Sequence, residues 1–151
     1  MSDSEYMNIA IEISKKAFAK YPYGAIVVKD GKIIGRSDVS TPASKSEYCH
    51  AELIAIENAI EHLGGHLSAG GGKGATIYSS CEPCAMCMGA ILYTGIERLV
   101  YGATLEDSEV VYNEILAKAS DVAEACVNRN IEIIPEVERE KANEVFREWL
   151  K

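Results

Sequence analysis

A chain of 151 residues that is 48% hydrophobic and 25% charged has the composition of one globular domain with its own core, which excludes a disordered chain and argues for a single domain over 1–151. Fifteen Lys and Arg against 23 Asp and Glu give a net charge of −8, a balance that repels phosphates and favours a small-molecule partner over nucleic acid. The acidic opening Met-Ser-Asp-Ser-Glu is unlike a secretory leader and no apolar run reaches the ~18 residues of a membrane span, so a cytoplasmic protein without a membrane partner is expected.

In chain order, Tyr6, Ile9, Ile13, Ala17 and Phe18 recur at helical spacing within residues 3–20, with Asp3 or Ser4 as a cap, which predicts an amphipathic first helix. Gly24–Lys29 and Lys32–Gly35 flank Asp30-Gly31, the pattern of a β-hairpin with a two-residue turn. Ser37–Tyr48 reads as a loop. From His50 the run HAELIAIENAIEHL places Leu53, Ile56, Ala59, Ile60 and Leu63 on one helical face and ends at Gly64-Gly65, a helix stop. The Gly-rich run Ala69–Gly74 lacks a phosphate-cradle pattern and reads as a surface connection.

Further on, Ala75–Ser79 predicts a strand, Cys84–Tyr93 a short helix, Arg98–Gly102 a strand, Ser108–Asn128 a helix and Ile131–Ile134 a short strand. A last helix over Val137–Leu150 has Val137, Ala142, Val145, Phe146 and Trp149 as its apolar members. Strands alternating with helices predict an α/β fold, a mixed sheet with helices on both faces.

Two short motifs carry the chemistry. His50-Ala51-Glu52 opens one helix, and Pro83-Cys84-Ala85-Met86-Cys87 opens the next. One imidazole and two thiolates are three ligands with a fourth position left for water, the arrangement of a catalytic zinc rather than a structural one. A carboxylate two residues past the histidine can accept a proton from that water and pass it to a leaving amine. Helix N-termini suit both thiolates and a developing hydroxide.

H-x-E with P-C-x-x-C is a signature of zinc-dependent nucleobase deaminases. The chain resembles the cytidine and deoxycytidylate deaminase superfamily through the hairpin, HAE, SCEPCAMC and GAILYTGIERLVYGA. It is most similar there to guanine deaminases, bacterial tRNA adenosine deaminases and fungal-type cytosine deaminases. Tetrameric cytidine deaminases have cysteine where this chain has His50, and riboflavin-pathway deaminases space their second cysteine pair more widely than Cys84 and Cys87. The resemblance implies a three-layer α/β/α sandwich with a five-stranded mixed sheet and a homodimer. It also implies Zn²⁺ on His50, Cys84 and Cys87, with Glu52 as proton shuttle. In guanine deaminases an Asp soon after the fourth strand assists proton transfer, and it maps onto Asp107. The base-reading Asn that relatives carry eleven residues before the zinc histidine maps onto Val39, with Asp38 beside it. Tyr23 in Pro22-Tyr23-Gly24 is a further pocket candidate, and Trp149 is either core or a stacking residue over a base.

Other readings stand beside these. Cys81 as fourth ligand would make a closed structural site, leaving Glu52 without a task; an iron–sulfur run would need a cysteine where Ile91 stands. Cys49 and Cys126 read as buried thiols, and His62 and His66 as surface residues. For function, the net charge favours hydrolytic deamination of a free aminated heterocycle resembling guanine, cytosine or an aminotriazine. The alternatives are adenosine-to-inosine editing of tRNA and a catalytically silent zinc-stabilised module.

Overall fold

The computed structural model describes residues 1–65, 72–127 and 129–151. His66 and Asn128, and the run's residues 69–71, lie outside them. The elements in chain order are α1 (Asp3–Ser14), β1 (Ala25–Lys29), β2 (Lys32–Arg36), a 3₁₀ turn (Ala43–Lys45), α2 (Ala51–His62), β3 (Ala75–Cys81), α3 (Ala85–Tyr93), β4 (Arg98–Ala103), α4 (Leu105–Ser108), α5 (Ala119–Glu124), β5 (Glu132–Ile134) and α6 (Arg139–Trp149). One sheet runs in the order β2-β1-β3-β4-β5. The β1 strand pairs antiparallel with β2 and β3, whereas β3–β4 and β4–β5 are parallel.

Alternation along the strands divides the core into two layers. Val27, Ile77 and Leu99 point to one face and pack with Ile54, Ala55 and Ala59 of α2 and Met88 and Ile91 of α3. Ile26, Tyr78 and Val100 point to the other and pack with Met7 and Ala10 of α1 and Val145 and Phe146 of α6. This is the three-layer sandwich with a five-stranded mixed sheet. The hairpin turn needs left-handed backbone at two successive residues, and Asp30 and Gly31 have φ of 51° and 73°. Helix and sheet approach closely where β2 meets α2: a Cβ on Gly35 would stand 2.2 Å from the Ala55 carbonyl oxygen, so the glycine sets that spacing.

Two elements depart from the sequence reading. The first helix, capped by Ser2 rather than by Asp3 or Ser4, ends at Ser14, so Ala17 and Phe18 lie beyond it. In place of a continuous helix over Ser108–Asn128 there are two short ones, α4 and α5, with an irregular segment between them. The cause is long-range. The buried carboxylate of Glu82 accepts from the Leu105 amide at 3.2 Å through Oε1 and from the Ala119 amide at 2.9 Å through Oε2. Both ends of the segment are thereby held at one point beyond β3, and residues between them form a loop next to that point.

Candidate active site

The parallel pair β3–β4 ends where α2 and α3 begin, and both helix starts supply chemistry. His50 and Cys84 occupy the N-cap positions of α2 and α3 in extended backbone, with ψ of 145° and 173°. An N-cap residue ordinarily turns its side chain onto the first amides. Neither does so here, and each is turned instead toward the other. His50 Nδ1 lies 3.6 Å from Cys84 Sγ and 3.5 Å from Cys87 Sγ. Among the described residues, these three form the group of histidine, cysteine and acidic side chains able to share a metal ion, their ligand atoms all within 4.8 Å of one another. A mixed imidazole and thiolate set suits zinc, and three ligands leave a position open. Hydrogen bonding from Cys87 and the neighbouring His50 bring the Cys84 thiol down to about 4, so one ligand is already a thiolate near neutrality.

Glu52, on the first turn of α2, is 5% exposed and accepts a hydrogen bond from Ser79 Oγ at 2.6 Å. The small pocket over the three ligands is walled by Tyr23, His50, Glu52, Cys81, Glu82, Cys84 and Glu114. Tyr23 reaches it from the turn before β1, and its buried hydroxyl has no hydrogen-bond partner among the described residues. Burial raises the phenol far above its ordinary range, so the hydroxyl keeps its proton.

Glu114 enters the pocket from the loop between α4 and α5. Burial first, then the negative Cys84 and Glu52, raise its carboxyl to about 7. The sequence reading missed it because the surrounding residues favour helix, where its place would have been one of many solvated acids. Tyr112, on the same loop, sets its ring edge-on to His50 with centroids 6.5 Å apart.

Other candidates are placed elsewhere. Asp107 does not reach the pocket: it closes a capping box with Thr104 at the start of α4. Arg139 grips both its oxygens at 2.8 and 3.0 Å, and Asn143 binds one at 3.1 Å. Asp38 is not a free acceptor either. Arg36 and Lys16 hold it at 2.7–3.0 Å and bring its carboxyl down to about 2. Val39 packs under the core layer of α2, and neither residue walls the pocket. Trp149 faces a groove between α1 and α6 with Ile11 and Pro22, its ring 6.0 Å from Tyr21, while Phe146 is core.

Cys81 stays outside the ligand group and directs its thiol to the Thr104 carbonyl at 3.6 Å, which leaves the closed four-ligand site without its fourth member. Cys49 is buried, Cys126 is half-buried rather than buried, and His62 is exposed.

Residues 1–103 match the cytidine and deoxycytidylate deaminase zinc-binding region. The chain is 38% identical over 103 residues to a tRNA-specific adenosine deaminase of Bacillus subtilis, a match covering 67% of this chain and 62% of that protein. It thus spans less than two thirds of that relative. Among solved structures, guanine deaminase from Nitrosomonas europaea superposes with a TM-score of 0.83 at 25% identity, covering 98% of this chain and 84% of the other. A transfer-RNA deaminase studied for A-to-I editing at the wobble position superposes with a TM-score of 0.73 at 27% identity, covering 93% and 98%. The likeness to tRNA-specific adenosine deaminases overturns the expectation of a free heterocycle as substrate and leaves that of no nucleic-acid partner without support, while the likeness to a guanine deaminase stands beside it. That expectation rested on the net charge of the whole chain. Among the described residues no helix is long and apolar enough to cross a membrane.

Proposed function

The chain belongs to the cytidine and deoxycytidylate deaminase family, and we propose that it is a zinc-dependent hydrolase converting adenosine to inosine in an RNA loop. The observation that carries the reading is the three-ligand group with Glu52 beside it, within a segment similar to tRNA-specific adenosine deaminases. Zinc, when held by His50, Cys84 and Cys87, supplies the Lewis acidity that activates a water for attack on the amidine carbon of the base.

The remaining steps belong to the chain's own residues. Glu52 takes one proton from the attacking water and delivers it to the ring nitrogen, then carries the remaining proton of that water to the amine, which departs as ammonia. The unpartnered Tyr23 hydroxyl gives the incoming base a donor at the pocket wall. Glu114, with its carboxyl near 7, both donates and accepts at neutral pH beside it. An unpaired loop nucleotide reaches such a recessed site more cheaply than a base in a duplex, which must first be unstacked.

The test is inosine formation in a tRNA anticodon stem-loop incubated with zinc-loaded protein, with Glu52→Gln as the blank. Inosine should appear with the wild type and fall about 10²- to 10⁴-fold with the variant while zinc content stays the same. Unchanged RNA, with ammonia released from free guanine or cytosine in a parallel reaction, would overturn the reading.

A further inference from the structure

Glu52 carries the protons of the reaction, and its carboxylate needs a fixed orientation to do so. Ser79 answers this. It sits on β3 between Ala25 of β1 and Tyr101 of β4 and is fully buried. Its neighbour Ser80 turns to the opposite side of the strand and accepts from the Gly24 amide at 2.9 Å, a structural bond at the foot of β1. Ser79 turns toward α2 instead. Its Oγ lies 2.6 Å from Glu52 Oε1 and 2.7 Å from the Cys81 carbonyl oxygen.

Helix α2 fixes the Cα of Glu52, but three side-chain torsions separate Cα from the carboxylate. The Ser79 hydroxyl is the hydrogen-bonding partner seen for that carboxylate among the described residues. Its single hydrogen is shared between that carboxylate and the Cys81 carbonyl, on the stretch that leads directly into Cys84. The contact therefore ties the proton-carrying group to the strand end that presents the cysteine ligands. It occupies Oε1 and leaves Oε2 for the proton transfer.

We propose that Ser79 is a positioning residue for the deamination, setting the orientation of the Glu52 carboxylate through this buried hydrogen bond. The inference rests on the deaminase reading but not on which aminated base is the substrate.

The test compares Ser79→Thr with Ser79→Val. These two variants have the same shape and differ in the hydroxyl, so any crowding of the buried site is common to both. Ser79→Ala removes the hydroxyl without adding volume and covers the case in which neither larger side chain is accommodated. Turnover of RNA should be about 10- to 100-fold lower for Val than for Thr, and lowered similarly for Ala, with KM changed by less than about twofold and zinc content equal. Crystal structures of the zinc-loaded variants supply a readout independent of turnover. Glu52 should keep one carboxylate orientation in the wild type and Thr variant and lose it in the Val and Ala variants. Equal kcat for Thr and Val, or an unmoved Glu52 carboxylate in Val and Ala, would overturn the proposal. A wild type inactive on RNA would overturn the substrate reading alone, and the crystallographic comparison would still decide the role of Ser79.

Discussion

The Glu82 carboxylate is the point from which the pocket loop hangs, and its removal has a calculable cost. It is 6% exposed and satisfies two backbone amides that begin α4 and α5, Leu105 at 3.2 Å and Ala119 at 2.9 Å. In Glu82→Ala both amides lose their acceptor in a place water reaches poorly. Each buried unsatisfied donor costs about 1–3 kcal/mol, so the pair costs about 2–5 kcal/mol after partial relaxation. For a chain of this length that corresponds to a melting temperature lower by about 5–15 °C. Glu82→Gln keeps one acceptor but turns an N–H toward the second amide, and its loss is about half as large. The assay is thermal unfolding of zinc-loaded protein with metal content measured alongside. Zinc should remain, because its ligands sit on α2 and α3, while turnover falls because Glu114 and Tyr112 lie between the two released ends. A Glu82→Ala protein melting within 2 °C of the wild type, with unchanged hydrogen exchange at the Leu105 and Ala119 amides, would refute this account.

Two further expectations concern acids with opposite pKa shifts. Asp107→Ala removes an N-terminal capping interaction and the contacts to Arg139 and Asn143, and should lower stability by about 0.5–2 kcal/mol with kcat within about twofold of wild type; a tenfold loss of kcat would return Asp107 to the chemistry. Glu114 has its carboxyl raised from 4.5 to about 7 in the folded chain, so the fold favours its neutral form. With respect to this group stability is fully present below pH 4.5 and is lost as pH rises through about 7. Glu114→Gln, measured on metal-free protein because a neighbouring cation favours the carboxylate, should melt like the wild type at pH 5. At pH 8 it should be more stable by about 1 kcal/mol, a figure reduced for the partial exposure of the group. The same melting difference at both pH values would refute it.

Features fixed by local chemistry were readable in the sequence. Asp30-Gly31 demands a tight turn whatever surrounds it, and the alternation of Ile26, Val27 and Val28 decides which side chain enters which layer. The H-x-E and P-C-x-x-C spacings place ligands at two helix starts for the same reason. The unread features depend on partners distant in sequence. Glu82 acts on Ala119 across 37 positions, and without that contact residues 108–128 have every local reason to be one helix. Asp38 has one partner within local reach, Arg36 two positions before it, and one beyond it, Lys16, 22 positions away. Asp107 was misplaced for a different reason: its partner Thr104 is local, but a cap and a proton carrier demand the same residue type at the same distance from the strand.

Net charge is a poor guide to an RNA partner for a physical reason. A surface charge is screened within about 8 Å at physiological salt, whereas a domain of this length has a radius of gyration of about 15 Å. A polyanion docking on one side therefore does not feel the sum over the molecule. The sum is also unevenly composed: residues 103–151 hold 12 acidic and 6 basic side chains, while residues 15–49 hold seven basic and three acidic. The second segment carries Tyr23 to the pocket wall and runs up to His50, the first metal ligand. The acids that do reach the pocket, Glu52, Glu82 and Glu114, are recessed from the surface a phosphate meets, with Glu52 bound by the Ser79 hydroxyl and Glu82 by two amides. The local charge beside the site, rather than the total of −8, is the quantity that bears on an RNA partner.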